Sequence, residues 1–139
     1  MKGLRLWVVA VLTVGLMAGC TASGTVGSAA EEEVCSAKAA LVASVQKVAD
    51  DVKAVNLGQA HTDWKTVKAD AAALGQAVQR LAEEKKAQLA PQVEALKTTL
   101  ATVTDATSLP ELEATLQTAK RQLAEIVSTA TTIAGCTPT

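Results

Sequence analysis

Three thiols and one imidazole, Cys20, Cys35, Cys136 and His61, are the side chains best suited to chemistry in this chain. A thiolate can be alkylated, oxidised to a disulfide or bound to a metal, and an imidazole titrates near neutrality. The densest polar cluster is His61-Thr62-Asp63-Trp64. A catalytic reading pairs His61 with Asp63 or Asp70. A plainer reading has Thr62 or Asp63 capping a helix, Trp64 on its apolar seam and His61 in the exposed connection before it. The plainer reading accounts for more of the sequence. No nucleophile stands in a recognisable elbow, and no Gly-rich phosphate cradle is present. A single His and the absence of a C-x-x-C spacing leave no usual metal set. Asp50-Asp51 and Glu83-Glu84 lie among lysines at helical spacing and read as solvated faces. The expectation is therefore no catalytic residue, no metal and no cofactor. Trp64 is the one candidate for lining a ligand cavity, although a lone Trp on a seam of small residues more often fills a core.

The start of the chain has a short basic segment with Lys2 and Arg5, an apolar run over residues 6–17, and the small residues Ala18 and Gly19. This is the plan of a secretory signal, and the run is too short to span a bilayer. Leu16-Met17-Ala18-Gly19-Cys20 resembles the lipobox of bacterial lipoproteins, with Met17 where Leu is usual. The resemblance implies that a diacylglyceryl group is attached to Cys20 and that residues 1–19 are removed. Cys20 then becomes the lipidated first residue of a chain held on the bacterial cell membrane, facing the exterior or the periplasm. Two or more acyl chains anchor stably, each buried CH₂ contributing about 0.8 kcal/mol.

With Cys20 committed to lipid, Cys35 and Cys136 remain, and an oxidising exported compartment lets them form a disulfide. The bridge would close nearly the whole domain into one loop. It would offset a weak core: Phe and Tyr are absent, and Trp64 is the only aromatic residue beyond the expected signal. The abundance of Ala, Val, Leu and Thr suggests a GC-rich, actinobacterial genome. Of 13 basic and 14 acidic residues, Lys2 and Arg5 leave with the signal, so the mature net charge is −3. That balance argues against nucleic acid as a partner, and no polybasic patch is present for anionic lipid.

Residues 20–30 read as the lipidated Cys and a flexible tether, and residues 31–139 as one helical domain. Ser28-Ala29-Ala30-Glu31 matches a capping box. A first segment carries Val34, Leu41, Val45, Val48, Val52 and Val55 and stops at Asn56-Leu57-Gly58, with Gly58 as the breaker. A second carries Trp64, Val67, Ala71, Leu74, Val78 and Leu81. A third carries Leu89, Val93, Leu96, Leu100 and Val103. Ser108-Leu109-Pro110-Glu111 predicts the start of the last, which carries Leu109, Leu112, Leu116, Ala119, Leu123, Ile126, Ala130 and Ile133 and stops at Gly135. The Thr residues within 98–107 and 129–132 read as polar surface or as sites of O-glycosylation.

The fold class is all-α, an antiparallel bundle of four helical segments closed by Cys35–Cys136. Residues 83–92 contain no turn-forming residue except Pro91. Either a short turn lies just before Pro91, or the second and third segments are one long helix kinked there. Three equal helices would put the two cysteines about 30 Å apart, whereas their Cα atoms must come within about 7 Å. A four-helix up-down-up-down bundle and a long central helix with the outer helices laid end to end along it both satisfy this. The domain also resembles small exported actinobacterial proteins in Cys35-Ser36-Ala37, Pro91-Gln92-Val93-Glu94-Ala95-Leu96 and the closing Cys136, over residues 34–136. That resemblance implies fold and address and no activity. The functional expectation is a non-enzymatic envelope lipoprotein whose helical domain contacts an envelope protein or a cell-wall component. The alternative is a carrier or sensor of a lipid or other apolar ligand.

Overall fold

The computed structural model describes residues 26–136, with side chains from residue 29 onward. The expected signal at 1–19, Cys20 and the first residues of the expected tether lie outside the described residues. Four helices follow in order: α1 Val26–Lys53, α2 Leu57–Gln79, α3 Glu83–Ala101 and α4 Leu109–Ala134. At 1.5 Å per residue they run from about 28 to about 42 Å. Each packs on its neighbours in a closed ring, α1 on α2, α2 on α3, α3 on α4 and α4 on α1.

Contacts at the two ends establish the direction of each helix. At one end Glu33 of α1 pairs with Arg80 after α2, and Glu31 of α1 pairs with Lys85 of α3. At the other, Trp64 of α2 donates to the Leu100 carbonyl of α3. The bundle is therefore up-down-up-down, the first of the two arrangements compatible with the cysteines. Cys35 and Cys136 form the disulfide, with Cα atoms 5.2 Å apart.

The boundaries follow local chemistry, and several differ from expectation. α1 begins at Val26, so the last five residues of the expected tether are helical and Ser28 lies inside the helix. Its C-terminus is a Schellman-type close. The Val55 N–H donates to the Val52 carbonyl at 3.0 Å and the Asn56 N–H to the Asp51 carbonyl at 2.9 Å. The left-handed residue this close requires is Val55, with φ 56°. Gly58 is no stop; it lies in the first turn of α2. The cap of α2 is Asn56, whose side chain accepts the Gln59 N–H, so Thr62 and Asp63 are interior residues rather than caps. α4 starts and ends as expected, with a capping box between Ser108 and Glu111, Pro110 in the first turn and Gly135 left-handed at φ 68°.

The reversal between α2 and α3 lies at residues 80–82, well before Pro91. Arg80 and Leu81 donate to the Ala77 and Val78 carbonyls at 3.1 and 3.0 Å. These tightened turns end the helix without glycine, and buried Leu81 (5 % exposed) pins the corner to the core. Thus neither a turn just before Pro91 nor a long kinked helix is present. Pro91 is inside α3. It is exposed, and so is Ala87, whose carbonyl its missing N–H would have served. Water can satisfy that carbonyl, which is why the helix continues.

The seams meet in one core. Every predicted seam residue of α2 and α3 is buried, as are Leu112, Leu116, Ala119, Leu123, Ile126 and Ala130 of α4. Val34, Leu41, Val45 and Val48 of α1 are buried, Val52 is half-buried, and Val55 is 70 % exposed beyond the helix end. Lys38 and Ser44 are also buried, at 2 % and 6 % exposure.

Two substitutions test this account. Pro91→Ala should raise stability by about 2 kcal/mol, because a proline inside a helix costs about 3 kcal/mol relative to Ala and only part of that is offset in the unfolded chain. Cys35→Ser should lower it by about 4 kcal/mol, given the long loop the bridge closes. Urea unfolding of the two variants beside the parent chain reads both.

Candidate functional site

Chemically varied side chains gather at the end opposite the disulfide, where the α1–α2 turn and the loop at residues 102–108 lie. Trp64 is 2 % exposed, and its Nε1–H donates to the Leu100 carbonyl at 3.0 Å. One indole thus fills the core and holds the last turn of α3. His61 is half-buried within α2, and its Nε2 lies 3.0 Å from the Thr107 carbonyl. It clasps the loop rather than standing in an exposed connection. The loop also ties itself together: the Thr104 N–H donates to the Thr107 hydroxyl at 2.8 Å, and the Ala106 N–H to the Thr104 hydroxyl at 3.2 Å. The backbone and hydroxyl of Ser108 both donate to Glu111, which holds that carboxyl below the usual range.

Between α2 and this loop is an open cleft of about 280 Å³ whose lining includes His61, Trp64, Lys65, Lys68, Val103 and Asp105. Its floor is apolar where Trp64 and Val103 meet, and its mouth carries two ammonium groups against one carboxylate. Trp64 therefore borders a cavity as the sequence suggested, but chiefly as packing. A second groove, about 290 Å³, runs between α1 and α4 over Val42, Val45, Leu123 and Val127.

The acid–base pairing considered for His61 does not form. His61 faces the 102–108 loop, whereas Asp63 and Asp70 face α1. Ser44 of α1 donates to the Ala40 carbonyl at 2.9 Å and contacts the Asp70 carboxylate. Asp51 of α1 is in side-chain hydrogen-bond contact with Asp63. Sequence reading took Asp50-Asp51 for a solvated face, and for Asp51 that is incorrect. A signal for both contacts was present. Leu41, Ser44, Val48, Asp51 and Val55 recur at three and four residues, and so do Ala60, Asp63, Val67, Asp70 and Leu74. Each stripe carries polar residues seven apart, and antiparallel pairing brings the two sets together. Glu83 and Glu84, by contrast, are exposed in the first turn of α3 and suit its positive end.

The Thr-rich segments are mostly polar surface. The hydroxyls of Thr98, Thr99, Thr131 and Thr132 donate to carbonyls four residues back in their own helices. Among the described residues, no three His, Cys, Asp or Glu side chains gather to hold a metal, and no helix is long and apolar enough to cross a membrane. Compared with known protein families, curated proteins and solved structures, the chain matches none.

The two ring residues should differ in weight. Trp64→Ala should destabilise the fold by about 3–5 kcal/mol, through the cavity it leaves. His61→Ala removes one hydrogen bond to the loop and should cost about 1 kcal/mol. Denaturant unfolding with the disulfide intact measures both.

Proposed function

We propose that the chain is an envelope lipoprotein, held on the bacterial cell membrane through lipid on Cys20, whose helical domain is a non-catalytic interaction module. The observation that carries this reading is the position of the chain ends. α1 begins at Val26, six residues after Cys20, and the disulfide to Cys136 lies at the same end of the bundle. Six residues reach at most about 21 Å, so a lipid on Cys20 keeps that end near the bilayer. The α1–α2 turn and the cleft beside His61 and Trp64 then face outward, toward an envelope protein or a cell-wall component. Nothing in the charge balance favours nucleic acid.

One observation favours the alternative, a carrier of a lipid or other apolar ligand: the groove between α1 and α4, whose lining is largely Val, Leu and Ala.

Native mass spectrometry of the protein extracted gently from its own membrane should report acyl mass on Cys20 and no retained small molecule. A photo-crosslinker at Lys65, in intact envelopes, should capture one dominant partner. A chain without acyl mass, or crosslinks only to random neighbours, would overturn the proposal; a defined retained lipid would move it to the carrier reading.

A further inference from the structure

The register between α1 and α2 has a consequence for the free end of the bundle. Ser44 contacts Asp70. Seven residues further along α1 and seven back along α2, two helical turns in each, Asp51 lies opposite Asp63. The same packing that makes a hydroxyl–carboxylate contact lower down thus makes a carboxyl–carboxyl contact here. Two carboxylates have no proton to place between them, and like charges at hydrogen-bond distance cannot both be ionised without cost.

The surroundings do not relieve the pair. Asp51 Oδ2 is buried and, among the described residues, has no donor hydrogen-bonded to it. Asp63 Oδ1 accepts the Gln59 side-chain N–H at 3.2 Å. The charges acting on Asp51 are Asp63 from α2 and Asp50 and Lys47 from its own helix. Asp50 accepts from the Gln46 side-chain N–H at 3.2 Å. Lys47 is the single opposing cation among them.

The pair also adjoins a strained corner. The backbone carbonyl of Asp51 accepts the Asn56 N–H that closes α1, and between them Val55 is held left-handed at φ 56°. A β-branched residue in that region costs about 1–3 kcal/mol and stays there only when neighbouring contacts enforce it.

We propose that Asp51 and Asp63 form a proton-operated latch joining the last turn of α1 to the first two turns of α2. With one proton shared between them the latch is closed and the Val55 turn is held. With both carboxylates bare it opens, and the turn loosens. The proton comes from solvent and returns to it, so no other reactant is required. The latch stands independently of lipid anchoring.

Burial first, then the hydrogen bond to Asp63 and the charges of Asp63 and Asp50, raise the Asp51 pKa to about 6, against a smaller downward pull from Lys47. A carboxyl whose folded pKa lies above its unfolded value stabilises the fold at low pH. That contribution is fully present below the unfolded pKa of about 3.9 and is lost as pH rises through the folded one. Glu111, with its lowered pKa, works in the opposite sense, so only comparison with latch variants isolates the pair.

The test is an NMR titration of the full chain with labelled Asp carboxyl carbons, combined with amide protection of Val55 and Asn56. In the parent chain the Asp51 carboxyl should titrate near 6, and protection of the two amides should fall by about tenfold or more between pH 5 and 7.5. Asp63→Asn replaces the opposing carboxylate with an amide donor and should lower the Asp51 midpoint clearly below that of the parent, with burial and Asp50 still holding part of the shift. Asp51→Asn should keep the latch closed, with protection at pH 7.5 matching that of the parent at pH 5. An Asp51 midpoint near 4 in the parent, a midpoint unmoved by Asp63→Asn, or protection that does not change with pH in the parent would each overturn the proposal.

Discussion

The bridge between Cys35 and Cys136 constrains everything else in the fold. It holds the start of the domain and its end with Cα atoms 5.2 Å apart. A chain of rod-like helices can meet that requirement with an even number of similar passes. Four passes also enclose enough surface to bury a core of small residues. In a chain without Phe or Tyr, each buried position contributes little and many are required. The ion pairs Glu33–Arg80 and Glu31–Lys85 lie at the same end as the bridge. They are solvent-facing and add modestly, so the covalent link is the principal closure there.

At the opposite end the chain is held by polar contacts. Trp64 bonds the end of α3, His61 clasps the following loop, and the α1–α2 turn rests on a left-handed valine. The bundle is thus asymmetric: one end closed covalently, the other by single hydrogen bonds and a carboxyl pair. The second end is the one with capacity to change shape.

Much of this was legible in the sequence. The seams of α2 and α3 were readable residue by residue, because Leu, Val and Trp at three-and-four spacing leave little ambiguity. The Ser108 cap and the Gly135 stop were also clear, since each is a local device whose geometry depends on its own residue type. The failures share a cause. The α1–α2 turn was misread because Val55 occupies a position that glycine or asparagine fills at lower cost, so Gly58 drew the assignment instead. The α2–α3 reversal was missed because tertiary burial of Leu81 makes a corner without any turn-forming residue. Asp51 was read as surface because charge outweighed register in that judgement. The burial of its Oδ2 depends on where α1 lies against α2, a long-range fact that no single helix encodes.

The closing bridge also has a mechanical consequence. Tension applied between the N-terminal segment and the chain beyond Cys136 passes through the sulfur–sulfur bond and bypasses the loop it encloses, whose ends are 101 positions apart in sequence. Only the stretch of α1 before Cys35 can be peeled by such a pull. A load gripping the far end takes a different path, shearing helix against helix across the small-residue core. The domain is consequently stiff toward its own termini and compliant toward whatever holds its tip.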